Sequence, residues 1–158
     1  MSVDFVKGSV LDADVQYICH QVNCQGKMNS GVAKAIREKW PGVFTAYQNY
    51  CNYHIPRSGT KSMLGTCQYL DVEVSKKTVI NMFAQDGYGY DGRRYTSYDA
   101  FWACLGDITK VVPKGSTIAF PDHIGCCRGG ANWEIIKIMI ITVLGNDYKV
   151  YIYKWEED

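Results

Sequence analysis

Two segments of the sequence place a glycine-containing loop between an apolar strand and a helix. The first loop spans Asn23–Val32 and the second spans Ile124–Trp133. Glycine lets a backbone approach a ligand closely, and the free amides at the start of a helix favour an anion. If both loops lie at the same edge of one sheet, they form a cleft suited to a diphosphate. Neither loop contains the Walker sequence or the G-x-G-x-x-G fingerprint.

For several side chains in or beside the loops, the sequence allows two interpretations, one functional and one structural. Asn23 either contacts a ligand or closes an Asx turn, and Arg128 either forms a bidentate phosphate contact or points into water. His123, directly before the second loop, suits general acid–base work and structural hydrogen bonding equally. Cys126 and Cys127 are expected to be small packing residues rather than nucleophiles, because only His123 is near enough in sequence to activate a thiolate.

The elements that must position these loops follow from the spacing of apolar residues. Strands are predicted over Val3–Val6, Gln16–Val22, Ser62–Val74, Thr78–Phe83, Thr117–Phe120 and Lys149–Tyr153, and helices over Gly31–Trp40, Val43–Asn52, a segment opened by Thr96, and Asn132–Leu144. This order predicts an α/β fold, a three-layer α/β/α arrangement around a mixed central sheet of about six strands. We expect a single domain over residues 1–158.

Two of the helices carry more detailed expectations. Thr96 and Asp99 have the form of a capping box, and the helix they open is expected to bury Tyr98, Phe101 and Trp102 in the core. The helix Asn132–Leu144 is apolar nearly all round, which predicts that it is buried.

Composition excludes several classes of function. The net charge is only +1, so a strong grip on a nucleic-acid backbone is unexpected. Seven cysteines occur without C-x-x-C pairs, which favours free thiols in a reducing cytoplasm over a metal site. No apolar stretch is long enough to cross a bilayer. We therefore expect a cytoplasmic protein with no metal, cofactor or membrane partner.

Beyond these patterns, the chain resembles macrodomains along nearly its whole length, and it is most similar to the branch of terminal ADP-ribose protein glycohydrolases and ADP-ribose-1''-phosphate phosphatases. The matching pieces are Phe5–Gly8, Asn23–Gly26, Ser30–Ala33, Pro121–Trp133 and Val150–Tyr153. The two loop segments are the specific part of the match.

The resemblance implies that the chain binds ADP-ribose, free or attached to a protein. It places adenine near Ser9, Val10 and Tyr153, and the distal ribose near Asn23. It implies phosphate contacts from Met28, Asn29, Ser30, Gly31 and Val32 in the first loop, and from Ile124, Gly125, Cys126, Cys127, Arg128, Gly129 and Gly130 in the second. The segment Gln85–Tyr95 would be a mobile flap over the distal ribose, although its tyrosines and arginines also suit stacking on single-stranded nucleic acid.

Three residues depart from the pattern of that branch. Ser9 stands where an aspartate usually accepts from the adenine amino group. Gln85 and Gly129 stand where the glycohydrolases use an adduct-forming lysine and an aspartate, which closes the covalent lysine route. The resemblance still implies hydrolysis of ADP-ribose-1''-phosphate, an ester-linked ADP-ribosyl protein or O-acetyl-ADP-ribose by a bound water, with Asn23, Gln85 and Asp86 as catalytic candidates. The alternative is a non-catalytic ADP-ribose-binding module.

Overall fold

A computed structural model describes residues 3–74 and 76–155 of the chain. Its strands are β1 (Val3–Lys7), β2 (Tyr17–Val22), β3 (Cys67–Val72), β4 (Lys77–Phe83), β5 (Thr117–Pro121) and β6 (Lys149–Lys154). Its α-helices are α1 (Gly31–Lys39), α2 (Pro41–Ser58), α3 (Tyr98–Val111) and α4 (Trp133–Leu144). Since residues 1, 2, 75 and 156–158 lie outside the described part, a single domain over residues 1–158 stays a prediction.

All six strands form one sheet in the order β1-β6-β5-β2-β4-β3. Only β3 runs antiparallel to its neighbour, and the other pairings are parallel. The sheet is therefore mixed, as the sequence predicts. Because parallel strands share a direction, the carboxyl ends of β2, β4 and β5 lie at one edge, and both glycine loops begin there.

Alternate side chains of the strands enter two different cores. In β2, Ile18 lies in a cluster with Ile36 and Tyr47 of α1 and α2. The next residue, Cys19, lies in a cluster with Phe101 of α3 and residues of α4. Side chains of a strand alternate between its faces, so these clusters cover opposite faces of the sheet. The predicted three-layer α/β/α arrangement is confirmed.

Several predicted boundaries are wrong by a few residues. The segment Ser62–Val74 is not one strand: Thr60–Met63 forms a 3-10 helix, and β3 begins only at Cys67. The second helix runs from Pro41 to Ser58, longer than predicted. Pro41 ends α1 and also opens α2, because a first-turn proline needs no amide hydrogen bond.

The predicted capping box at α3 is displaced by one residue. Ser97 is the N-cap, and its side chain accepts from the amide of Ala100 at 3.1 Å. Burial of Phe101 is confirmed, whereas Trp102 is 49% exposed. Trp102 lies about 100° round the helix from Phe101, so it falls outside the stripe that meets the sheet.

The prediction that α4 is buried all round is also wrong. Ile136, Ile140 and Leu144 are fully buried, but Ile135 and Ile138 are 44% and 60% exposed. An outer-layer helix has only one neighbouring sheet to pack against, whatever the composition of its other face. Within the described residues, no helix combines the length and the apolar character needed to cross a membrane.

Candidate ligand-binding site

A cavity of about 230 Å³ opens at the carboxyl edge of β2, β4 and β5. The two glycine loops form its walls, and the segment Gln85–Tyr90 covers one side. It brings together the following predicted site residues: Asn23, Asn29, Ser30, Gly31, Val32, Gln85, Ile124, Gly125, Cys126, Cys127, Arg128 and Gly129. The loops therefore converge on one space.

Six predicted site residues do not line this cavity: Ser9, Val10, Met28, Asp86, Gly130 and Tyr153. Met28 and Val10 are buried in the core under α1 and α2. Ser9 and Tyr153 lie at the ends of β1 and β6, which are paired neighbours in the sheet. The carbonyl of Tyr153 accepts from the amide of Asp122 at 2.8 Å, and Asp122 does line the cavity. The residues predicted to meet adenine thus adjoin one end of the cavity.

The first loop is organised by the side chain of Asn23. Its Oδ1 accepts from the amide of Gln25 at 2.9 Å and from the Tyr47 hydroxyl at 2.8 Å. Its Nδ2 donates to the carbonyl of Lys27 at 2.9 Å. The Asx turn exists, and Asn23 lines the cavity as well. Burial of the Tyr47 ring raises the pKa of its hydroxyl, which keeps this group a donor to Asn23.

At the start of α1, the first amides have no side-chain partner among residues 3–74 and 76–155. Ser30 is the N-cap residue, but its side chain makes no capping hydrogen bond, whereas Ser97 and Asn132 cap α3 and α4. The amides of the first helical turn point away from their own helix and carry a partial positive charge. Gly31, Val32 and Ala33 contribute this turn to the cavity wall.

The second loop is organised by backbone groups. The amides of Tyr95 and Thr96 donate to the carbonyl of Gly129 at 2.8 and 3.0 Å, and the Thr96 hydroxyl donates to the carbonyl of Gly125 at 2.8 Å. A Cβ on Gly129 would collide with Thr96 Oγ1 and with the carbonyl oxygen of Gly125. This position therefore has no room for an aspartate.

Gln85 is held in a layer of amide side chains at the base of the cavity. Gln21 Nε2 donates to Gln85 Oε1 and to Thr96 Oγ1, each at 2.7 Å. Gln85 Nε2 in turn donates to the carbonyl of Gly87 at 2.9 Å. Gln21 is a cavity residue that the sequence reasoning missed. Its signal was a second polar residue, directly after His20, near the end of β2.

Asp86 does not line the cavity. Its carboxylate accepts from Gln25 Nε2 at 3.2 Å, and its backbone carbonyl accepts from the amide of Cys24 at 3.0 Å. Asp86 thus contacts the first loop, whereas the other two catalytic candidates line the cavity.

His20 is 1% exposed, as expected of a core histidine, and its ring also borders the cavity. Its Nε2 bonds Asn81 Oδ1, and Asn81 Nδ2 donates to Gln68 Oε1 at 3.0 Å. Burial lowers the pKa of the imidazole to about 4, more than the Asn81 hydrogen bond raises it. Its Nδ1 has no hydrogen-bond partner among the described residues. His20 is therefore neutral at physiological pH.

Aromatic and cationic side chains meet over the mouth of the cavity. The guanidinium of Arg128 lies 4.0 Å from the centre of the Tyr90 ring and joins the second loop to the covering segment.

Burial raises the pKa of the Cys126 thiol to about 11, so it stays protonated. In the described part of the chain, no group of three His, Cys, Asp or Glu side chains is arranged to hold a metal ion.

The structure also aligns with a solved protein domain. The macrodomain of Mycobacterium tuberculosis DarG matches with a TM-score of 0.78 and 23% identity, over 96% of each chain. The chain has the macrodomain fold. The resemblance found in the sequence is confirmed at this level, although no protein-family model matches the chain.

Two curated relatives match the chain in sequence. The DNA ADP-ribosyl glycohydrolase of Mycobacterium tuberculosis is 26% identical over 142 residues, which are 89% of this chain and 38% of the relative. The ADP-ribose 1''-phosphate phosphatase of Aspergillus clavatus is 31% identical over 58 residues, 36% of this chain and 29% of the relative. The chain thus matches well under half the length of either curated relative.

Proposed function

We propose that this macrodomain binds ADP-ribose in the cavity between its two glycine loops. The observation that carries the proposal is the convergence of both loops, from distant parts of the chain, on one cavity at the carboxyl edge of the sheet. The uncapped first turn of α1 offers amides to the diphosphate. Both curated relatives are named for activity on ADP-ribosyl compounds.

The binding would proceed without a lysine adduct. Gln85 cannot form a Schiff base, and both ends of its amide are already bonded to Gln21 and Gly87. Gly129 has no space for an acidic side chain. These two positions support recognition of ADP-ribose more directly than its covalent turnover.

Hydrolysis by a bound water is the second candidate function, and the hydrolase names of both relatives favour it. Asn23 and Gln85, which both line the cavity, would orient the water. Its substrates would be ADP-ribose-1''-phosphate, an ester-linked ADP-ribosyl protein, O-acetyl-ADP-ribose or, following the mycobacterial relative, ADP-ribosylated DNA. The seven unpaired cysteines support action in the cytoplasm.

Calorimetry with ADP-ribose tests the binding proposal, and Gly31→Val against Gly115→Val is the matched pair. Both glycines have a positive φ (+61° and +88°) and open space around the site of a Cβ, so both valines carry a similar backbone strain, but Gly31 lines the cavity and Gly115 lies in the turn before β5. We expect wild type and Gly115→Val to bind and Gly31→Val to bind at least tenfold more weakly. Equal affinity in all three proteins would show that the cavity is not the site.

Turnover assays separate the two candidates. Purified protein would be incubated with each of the four substrate types, and the released ADP-ribose, phosphate or acetyl group would be measured. Binding of ADP-ribose with no release from any substrate identifies a recognition module. Release that persists in the Gln85→Ala variant but not in Asn23→Ala would identify hydrolysis ordered by the first loop.

A further inference from the structure

The cavity wall contains a carboxylate–imidazole pair that the binding proposal does not use. His123 Nδ1 lies 2.7 Å from Asp122 Oδ2, and the imidazole stacks on the Trp133 ring at 5.1 Å between centres and 19° between planes. Both Asp122 and His123 line the cavity. Two separate contacts therefore fix the orientation of this ring.

The backbone of His123 adds an independent sign of function. Its φ is +59°, in the left-handed region that residues other than glycine seldom occupy. Such a conformation costs free energy and persists where the surrounding structure requires it, often at ligand-binding sites. Here it occurs at the residue whose imidazole contacts both Trp133 and Asp122.

The pair adjoins a residue that the resemblance assigns to adenine. The amide of Asp122 donates to the carbonyl of Tyr153, the residue expected to stack on adenine. Ser9, which stands in place of the usual adenine-binding aspartate, already accepts from the amide of Leu11 at 3.2 Å as the cap of a short helix. One of the two lone pairs of the Ser9 hydroxyl is thus used within its own turn, and His123, the residue after Asp122, supplies a further acceptor.

Chemistry decides which atom of His123 faces a ligand. A carboxylate only accepts, so His123 Nδ1 carries the proton that it donates to Asp122, and the tautomer with its single proton on Nδ1 keeps a lone pair on Nε2. No group in the described part of the chain bonds this Nε2. We infer that His123 Nε2 accepts a hydrogen bond from the adenosine half of bound ADP-ribose, with Asp122 and Trp133 as positioning residues. This inference rests on the proposed binding function.

The test uses three proteins and three ligands. Wild type, His123→Asn and His54→Asn would be titrated with ADP-ribose by calorimetry, and with AMP and ribose 5-phosphate by NMR. Asparagine tolerates the left-handed backbone, so His123→Asn keeps the loop conformation. His54 packs on Tyr50 and Tyr53 of α2 and serves as the matched control.

We expect His123→Asn to bind ADP-ribose and AMP about tenfold more weakly, the effect of one lost hydrogen bond. Ribose 5-phosphate, which lacks adenosine, should bind all three proteins equally, and His54→Asn should match wild type throughout. Unchanged AMP affinity, equal losses for AMP and ribose 5-phosphate, or no detectable AMP binding by wild type would each overturn the inference. Failure of wild type to bind ADP-ribose would instead remove the proposed function itself.

Discussion

The first loop is held by a buried side chain of its own, whereas the second is held through its backbone carbonyls and has no room for a side chain at Gly129. Asn23 bonds two backbone groups of its own loop and the Tyr47 hydroxyl of α2. In the second loop, the carbonyls of Gly125 and Gly129 accept from Thr96 and Tyr95, which come from the segment before α3.

This difference determines which kind of substitution disturbs each wall of the cavity. The first loop depends on one polar side chain, so its geometry can be disturbed by deletion. The geometry of the second loop depends on the absence of a side chain at Gly129, so it can be disturbed by adding one there. It also explains why an acid is missing from the second loop: the Thr96 hydroxyl and the Gly125 carbonyl lie in the space that a Cβ at residue 129 would need.

Adding one methyl group at Gly129 should have the largest effect. In Gly129→Ala the new Cβ meets Thr96 Oγ1 and the backbone of Gly125, and backbone cannot move aside cheaply. We expect a loss of about 3 kcal/mol of unfolding free energy and at least a hundredfold loss of ADP-ribose affinity. Urea unfolding and calorimetry measure these two quantities.

Gly106→Ala is the matched control, because Gly106 lies within α3 with no atom near the site of its Cβ. Alanine there should stabilise the helix by about 0.5 to 1 kcal/mol and leave binding unchanged. If Gly129→Ala were as stable and as active as Gly106→Ala, the second loop would not depend on the absence of a side chain.

The convergence of the loops could be predicted from the sequence, but the contacts that shape them could not. Each loop follows an apolar strand and precedes a helix, and parallel strands end at one edge, so the pattern alone brings residues 23–32 and 124–129 together. In the layer that holds Gln85, Gln21 bonds Gln85 and Thr96, which are 64 and 75 positions later in the sequence. No local spacing encodes these pairings, since they depend on which strands become neighbours.

The errors in the helices have a similar cause. The sequence gives the apolar residues of α3 and α4, but not the width of the surface that each helix finds to pack against. Trp102 and Ile138 remain exposed because one sheet face covers only one stripe of an outer helix. Asn23 combines both cases. Its Asx turn is local and could be predicted from the sequence, whereas its bond to Tyr47 depends on how α2 crosses the loop.

Deleting the side-chain amide at the centre of the first loop should have the next largest effect. Asn23→Ala leaves the amide of Gln25 and the carbonyl of Lys27 without their partners inside the protein. We expect the unfolding free energy to fall by about 2 to 3 kcal/mol, the usual cost of buried unpaired polar groups. Urea unfolding checks this against Asn52→Ala, an exposed position on α2 that should change stability by less than about 0.5 kcal/mol. Equal stability of the two variants would contradict the role of Asn23 in holding the loop.

The buried His20, which lies just before the first loop, should also make the stability of the protein depend on pH. The pKa of His20 is about 4 in the folded protein and near its ordinary value of 6.5 when unfolded. Below pH 6.5 the unfolded chain therefore binds a proton that the folded chain refuses, so the contribution of His20 is complete above that pH and is lost as the pH falls toward 4. Between pH 7 and pH 5 the loss should be about 2 kcal/mol.

Urea unfolding of wild type, His20→Asn and His54→Asn at pH 7, 6 and 5 isolates this contribution, because the carboxylates are common to all three proteins. We expect His20→Asn to lose about 2 kcal/mol less than wild type over this range, and His54→Asn to follow wild type. A parallel decline in all three would mean that His20 gains a proton in the folded protein. The Nδ1 of His20, which has no partner in the described structure, would then be accessible to water through the cavity.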